Sequence, residues 1–299
     1  MKILAFLALL SLGVEAAAMP PHETFVYLGL PSTDRIAIWS SFPGTRSYLF
    51  QTQNPDPSDL LPLAHLHGAD RIRIEISTFP DANAVSAWKA LAGQGVELVG
   101  LNAGAPTDEE LDHINQIGFS SCVFVLNSYL TPDEATRLAR LKMPFSLTFD
   151  VDAYPLYMSK PTFVALPAST SLLFATDYWP GYTHMDLFNL ISQTIRIRVS
   201  GSLPSSENLS YLLNIHRLDE VNVMTDFDVP AAASWRAFGK VPVLWSMEGA
   251  VPSSEAIQAF EQGPGPRGLV IDSDTPLTDD ESSRLTRAAI PVEWIHQAP

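Results

Sequence analysis

The stretch Leu209–Val223, LSYLLNIHRLDEVNV, carries the pattern that decides the fold. Apolar residues stand at every third position from Leu209 to Val221, and the next one follows after two residues, at Val223. The first part is typical of the buried face of a short helix, and the last part is typical of a strand whose side chains alternate between two faces. The stretch therefore predicts one helix followed closely by one strand.

The same unit recurs along most of the chain. About ten β-type runs are spaced by roughly 22 to 27 residues, which is a period typical of repeat proteins. They begin at Ile72, Leu98, Val123, Phe145, Leu172, Ile195, Val221, Val243, Leu269 and Val292. Helix N-terminal signals, such as Pro106–Glu110 and Thr131–Glu134, lie between the runs. Strands that alternate with helices predict a parallel sheet.

The repeats resemble the L-x-x-L-x-x-L-x-x-L-x-L pattern of bacterial leucine-rich repeats. This resemblance implies an α/β solenoid, an open stack of βα repeats with a parallel sheet on its concave side. We therefore predict a βα-repeat domain over residues 70–299, preceded by an N-terminal β-rich cap and connection over residues 19–69.

A (β/α)8 barrel is the alternative, because it also alternates parallel strands with helices. It would bury both faces of every strand. The run Val123–Leu126, which is apolar on both faces, favours the barrel or a concave surface with apolar patches. The alternation of charged and apolar residues around Arg73–Glu75 and Arg196–Arg198 favours a sheet with one face in water, as in the solenoid.

The first 18 residues resemble a secretory signal peptide. Lys2 supplies a positive charge, an apolar run extends from Ile3 to Val14, and Ala16–Ala18 offers a cleavage site with small side chains. We expect an exported protein, periplasmic or secreted, whose mature chain begins near Met19. The apolar run is too short to cross a bilayer comfortably, so no integral membrane segment is expected after cleavage.

Charge and cysteine content exclude several kinds of partner and cofactor. The 33 Asp and Glu residues outnumber the 18 Lys and Arg residues, and the net charge of −15 disfavours binding to nucleic acid or anionic lipid. Cys122 is the only cysteine, so it cannot form an intramolecular disulfide, and we expect it to be a buried strand residue. The sequence also lacks the phosphate-loop, dinucleotide and zinc motifs, so it predicts no cofactor and no metal.

Acidic residues follow several of the predicted strands. In a barrel they would meet at one mouth, where paired carboxylates can act as acid and base or as nucleophile in glycoside cleavage. In a solenoid they would form a row that caps the bends of the chain. The candidates for catalysis are Asp150, Asp177, Asp226 and Glu248.

The segment Asp177–His184 is the least similar to the repeats, and its three aromatic residues suit a binding surface for a sugar or peptide. The same aromatics could instead fill a gap where the repeat is irregular. Two arginines of the predicted strand near residue 197 complete the set of predicted ligand-binding residues. The set is Tyr178, Trp179, Tyr182, His184, Arg196 and Arg198.

Two functions follow from these features. The main hypothesis is an exported, non-enzymatic recognition protein that binds a protein, peptide or glycan through its repeat surface. The alternative is a carboxylate-dependent, glycosidase-like hydrolase on a barrel. Carboxylates gathered around one pocket would favour the hydrolase, whereas carboxylates strung along an arc would favour recognition.

Overall fold

The computed structural model describes residues 21–102, 104–229 and 231–298. Over these residues, β-strands alternate with helices from one end to the other. The strands are β1 (His22–Leu28), β2 (Arg46–Gln51), β3 (Ala69–Ile76), β4 (Glu97–Leu101), β5 (Ser121–Leu126), β6 (Phe145–Asp150), β7 (Ser171–Thr176), β8 (Thr194–Ser200), β9 (Leu218–Thr225), β10 (Val243–Glu248), β11 (Arg267–Asp272) and β12 (Val292–Gln297).

The α-helices connect successive strands. They are α1 (Thr33–Ser40), α2 (Pro57–Leu60), α3 (Val85–Ala92), α4 (Asp108–Ile117), α5 (Pro132–Leu138), α6 (Lys160–Ala165), α7 (Tyr182–Phe188), α8 (Ser206–Leu213), α9 (Ala232–Arg236), α10 (Ser254–Glu261) and α11 (Asp279–Thr286). Two 3₁₀ helices, Leu61–His65 and Tyr157–Ser159, precede β3 and α6. Among the described residues, no helix has the length and apolar character needed to cross a membrane.

The sheet is a closed ring of 12 parallel strands in chain order. Its closure depends on the pairing of β1 with β12, in which Glu23 lies opposite Trp294 and Thr24 lies opposite Ile295. In an open solenoid the first and last strands would each have one edge without a partner strand. The prediction of a leucine-rich-repeat solenoid is therefore wrong, and so is a binding mode that relies on an open concave sheet. The alternative is confirmed in that the strand-helix units close into a parallel barrel. The barrel has 12 strands, however, and not the eight that we expected.

The N-terminal segment takes part in this ring. Residues 19–69, which we expected to form a cap over the first repeat, supply β1 and β2, which lie between β12 and β3. Each of these strands therefore has a hydrogen-bonded neighbour on both sides. The predicted signal peptide, residues 1–18, lies outside the described residues.

The outer face of the barrel packs against the helices and forms the main core. Phe124, Leu147 and Phe174 on the strands are at most 1% exposed, and so are Leu111 and Ile114 on α4. The three-residue spacing of apolar positions in the sequence corresponds to this helix-sheet layer. Cys122 lies in the same layer, and burial raises the pKa of its thiol well above the usual range.

Capping boxes built from a threonine and a glutamate begin three helices in the described part of the chain. In each box the side chain of a threonine accepts a hydrogen bond from a backbone N–H three residues later, and a glutamate accepts one from the threonine N–H. The pairs are Thr107 with Glu110, Thr131 with Glu134, and Thr278 with Glu281. These caps set where the helices start and so fix the short connections to the preceding strands.

The inner face holds two apolar groups and two charged clusters. One apolar group contains Val26, Leu49, Leu244, Val270 and Ile295, and the other contains Val99, Val123, Val125 and Leu173. The β3 cluster consists of Arg71, Arg73, Glu75, Glu97 and Glu293, and the β8 cluster consists of Asp150, Arg196, Arg198 and Glu220. Because barrel diameter grows with strand number and eight strands leave just enough room for ordinary side chains, 12 strands can enclose long charged ones.

Candidate active site at the carboxyl ends of the strands

Asp150 is the last residue of β6 and lies at the end of the barrel where the strands finish. Its side chain is partly buried, and this burial is the largest cause of a raised pKa. The carboxylates of Asp177 and Asp152 raise the pKa of Asp150 further, whereas the guanidinium of Arg198 lowers it. The four side chains therefore interact electrostatically at this mouth, and Asp150 is the one that holds its proton more strongly than an ordinary aspartate.

Strand register explains how Arg198 reaches Asp150. Asp150 on β6 lies opposite Ala175 on β7, and Ala175 in turn lies opposite Arg198 on β8. Only the small methyl side chain of Ala175 stands between the two residues in the register. Arg198 is 3% exposed, and its burial is the largest cause of a pKa lowered to about 10. Asp150 thus has a buried cation on the barrel side and other carboxylates on the solvent side.

The remainder of the β8 cluster lies deeper in the barrel. Arg196 on β8 is the register partner of Glu220 on β9. Glu220 is 7% exposed, and burial raises its pKa although Arg196 and Arg198 oppose that effect. With two guanidinium groups and two carboxyl groups, the β8 cluster is balanced in charge. Arg196 and Arg198 were predicted as ligand-binding residues, and the structure places both inside the barrel.

The other two predicted catalytic carboxylates occupy a different sector of the same mouth. Glu248 is the last residue of β10, Asp226 directly follows β9, and both are exposed. At about 4.8 Å between neighbouring strands, β7 and β10 are roughly 14 Å apart along the sheet. Paired carboxyl groups of glycosidases are separated by only about 5 to 9.5 Å. Asp226 follows β9 and is by the same spacing roughly 10 Å from the end of β7. The structure therefore brings Asp150 and Asp177 together on adjacent strands, and neither Asp226 nor Glu248 is among the groups that shift the pKa of Asp150.

Two residues of the aromatic segment serve the structure of the loop. The indole Nε1 of Trp179 donates to the carbonyl of Ser202 at 2.9 Å, and the side chain is 7% exposed. The Nδ1 atom of His184 accepts from the backbone N–H of Gly181 at 3.0 Å, which caps α7. Burial lowers the pKa of His184, so the neutral ring that accepts this bond is favoured.

The two tyrosines of the segment remain accessible. Tyr178 is 39% exposed and Tyr182 is 59% exposed. The hydroxyl of Tyr178 accepts from the backbone N–H of Tyr154 at 3.0 Å, and the Tyr154 ring packs against Tyr178 with 5.3 Å between centroids. Tyr178 follows Asp177 directly, so one exposed aromatic ring lies beside the acidic site.

Sequence reasoning missed Ala175 and Glu220. No local pattern distinguishes Ala175 from any other small strand residue, because its role comes from its position between Asp150 and Arg198 in the register. Glu220 lies within the run Leu209–Val223, which predicted a helix followed by a strand but contains no signal of a buried charge. Both residues acquire their roles only when neighbouring strands are placed side by side.

No set of three or more His, Cys, Asp or Glu side chains suitable for a metal ion occurs in the described part of the chain. An open depression lies at the opposite end of the barrel, between the α7–β8 and α8–β9 connections. It is lined by Asn189, Leu190, Ile191, Ser192, His216 and Arg217, none of which belongs to the acidic site.

Comparison with known proteins provides no family for this chain. No protein-family model matches the sequence, and no curated protein matches it. Among solved structures, one similar chain is a crystal structure described as a "putative phosphonomutase" from Burkholderia cenocepacia J2315, with 10% identity and a TM-score of 0.29 over 95% of this chain and 88% of that one. A TM-score this low does not establish a common fold. The description of the sheet as a closed barrel therefore depends on the strand pairing alone.

Proposed function

We propose that the protein is a carboxylate-dependent hydrolase whose site lies at the carboxyl ends of β6, β7 and β8. The observation that carries this proposal is the partly buried Asp150, which retains its proton more strongly than an ordinary aspartate and lies beside a second carboxylate, Asp177. Acid-base cleavage of a glycosidic bond requires two neighbouring carboxyl groups, of which one has a raised pKa. Barrel enzymes also place their catalytic groups at this end of the strands.

In the proposed reaction, Asp150 donates its proton to the oxygen of the leaving group. Asp177 either attacks the anomeric carbon or removes a proton from an attacking water. In both cases the bond to the leaving oxygen breaks as the new bond to carbon forms, and Asp150 carries the resulting negative charge next to Arg198. The exposed ring of Tyr178 can stack against the apolar face of a sugar.

The test is hydrolysis of a panel of aryl glycosides and soluble polysaccharides by the wild type and by D150N and D177N. We expect each variant to lose activity by about 10² to 10⁴-fold, because an amide can neither donate nor accept the proton in the same way. D226N and E248Q are matched controls, since these exposed carboxylates belong to another sector of the mouth. Loss of activity in the controls but not in D150N would refute the assignment.

A glycan that binds the wild type and D150N equally, and that neither protein hydrolyses, would instead support a recognition protein. In that case Y178A should weaken binding while D177N leaves it unchanged. This outcome separates the two functions even while the natural ligand is unidentified.

Export of the chain is a second proposal, supported by the sequence of residues 1–18. Expression of the full chain in a bacterium, followed by mass spectrometry of the product, tests it. A product in the periplasm or medium that begins near Met19 would support export, and a cytoplasmic product that retains Lys2 would contradict it.

A further inference from the structure

We propose that the β3 cluster inside the barrel retains a bound proton near neutral pH, and that the fold loses stability as the pH rises through neutrality and this proton is released. The proposal concerns the interior of the barrel and does not depend on the activity proposed above. It follows from the balance of charge, the burial and the hydrogen bonds of five side chains on β3, β4 and β12.

The β3 cluster contains more carboxyl groups than cations. Three carboxyl groups, of Glu75, Glu97 and Glu293, share the interior with the guanidinium groups of Arg71 and Arg73. All three glutamates are at most 4% exposed. An uncompensated buried charge is costly, and such a group commonly takes up a proton and becomes neutral. One proton would balance the cluster.

Glu97 is the carboxylate that the arginines hold ionised. It accepts a hydrogen bond from Arg71 Nη2 at 3.0 Å, another from Arg73 Nε and a third from the Ser121 hydroxyl at 2.8 Å. Burial alone would raise the pKa of Glu97, but Arg73 and Arg71 keep that pKa below its usual value. The proton therefore belongs on one of the other two glutamates.

Glu293 on β12 is 4% exposed and accepts a hydrogen bond from the hydroxyl of Thr24 at 2.6 Å. Its register partners are His22 on β1 and Val270 on β11. Burial is the main cause that raises the pKa of Glu293 to about 7, against opposing contributions from Arg73 and Arg71. A neutral donor and an apolar neighbour stabilise a protonated carboxyl group better than a charged one.

Glu75 on β3 has similar surroundings. It is 1% exposed and lies between Gln51 on β2 and Val99 on β4. Gln51 donates to one carboxyl oxygen, and Oε2 has no hydrogen-bond partner within the described part of the chain. Burial raises the pKa of Glu75 to about 7, with Gln51 and Arg73 opposing it. A carboxyl oxygen without a hydrogen-bond partner destabilises a neutral carboxylic acid less than it destabilises a carboxylate anion.

The other titratable groups near the cluster lie at the rim of the barrel. The Nε2 atom of His22 is 3.0 Å from the Ser47 hydroxyl and 4.0 Å from the carboxylate of Asp70, whose side chain is 64% exposed. Solvent screens this pair more strongly than the buried groups. The excess negative charge of the interior is therefore not compensated by the charged groups at the rim.

The sign of the effect follows from linkage. Between the ordinary pKa of a glutamate in the unfolded chain and about 7 in the folded protein, the folded state binds more protons than the unfolded state. Stability then falls as the pH rises through that interval, and it continues to fall until both glutamates are ionised in the barrel. For each retained proton, the unfolding equilibrium constant rises about tenfold per pH unit.

Infrared spectroscopy of the wild type tests the retained proton directly. The carbonyl stretch of a protonated carboxylic acid should be present near pH 6, where exposed carboxylates are ionised, and should disappear above pH 8. E75Q and E293Q should each weaken the band, and the double variant should lose the share that these two glutamates contribute, leaving only what Asp150 and Glu220, whose pKa values are also raised, provide. A wild-type spectrum with no such band near pH 6 would overturn the proposal.

Urea unfolding of the full chain between pH 5 and 9 provides the second measurement. The wild type should lose stability between about pH 5 and 8 and level off at higher pH, and the double variant E75Q/E293Q should lose much less over that interval, because glutamine imitates the protonated acid at every pH. E109Q is the matched control on the exposed surface of α4 and should follow the wild type. Parallel pH profiles for the wild type and the double variant would also refute the proposal.

Discussion

The β3 and β8 clusters contain the same kinds of side chain, yet they lie in different surroundings. The β3 cluster has an excess of carboxyl groups and is enclosed by the strands. The β8 cluster is balanced in charge, and through Asp150 it reaches the mouth where Asp177 and Tyr178 are exposed. The two clusters differ more in their position along the barrel axis than in their residue types. This position decides whether a charged side chain only stabilises the fold or can also contact a substrate.

The largest expected effect is that of breaking the buried ion pair of the β3 cluster. R73M removes the cation nearest to Glu97 and leaves a buried carboxylate poorly compensated, so we expect a loss of about 3 to 5 kcal/mol in the free energy of unfolding. R71M is the matched control, because Arg71 contacts the same carboxylate but its side chain is 37% exposed. Its cost should be below about 1 kcal/mol. Equal costs in urea unfolding would show that burial does not separate the two arginines.

A smaller effect is expected where the β8 cluster reaches the mouth. A175L places a large side chain between Asp150 and Arg198, and we expect overpacking to cost about 1 to 3 kcal/mol. Separation from the cation should also raise the pKa of Asp150 further, which carbon NMR of its carboxyl group can follow. A233L, at an exposed alanine of α9, should change neither quantity. An unchanged titration of Asp150 in A175L would contradict the path across Ala175.

The smallest effect distinguishes two buried threonines. T24V removes the hydroxyl that donates to Glu293 and should cost about 1 kcal/mol. T148V removes a buried hydroxyl that has no hydrogen-bond partner among the described residues, so it should be neutral or slightly stabilising. The two substitutions change volume equally, so their difference in urea unfolding isolates the hydrogen bond. A T148V more costly than T24V would show that the Thr148 hydroxyl makes a stabilising polar contact.

Much of the local structure could be predicted from the sequence. The period of apolar residues indicated the alternation of helix and strand, and the threonine-glutamate spacing indicated helix starts such as Thr107 and Thr131. A parallel sheet followed from that alternation, and the buried position of Cys122 followed from the general tendency of free cysteines to be buried. These features depend on residues close together in the chain, which is why a local pattern records them.

The candidate site was predictable only in outline. The sequence singled out Asp150 and Asp177 because acidic residues follow the strands, but it offered no reason to separate them from Asp226 and Glu248. Which carboxylates approach one another depends on the number of strands between them and on the width of the ring. A repeat pattern contains neither quantity.

By itself, the sequence determined the repeating unit, the parallel direction of the strands and the helix-facing side of each strand. Only the tertiary structure decided that the ring closes, because the pairing of His22–Leu28 with Val292–Gln297 joins segments at opposite ends of the chain. Closure also changes the environment of the charged strand positions. The alternation around Arg73–Glu75 and Arg196–Arg198 predicted a face in water. In a closed ring that face turns inward, where arginines and glutamates lie next to one another and partly compensate each other's charge.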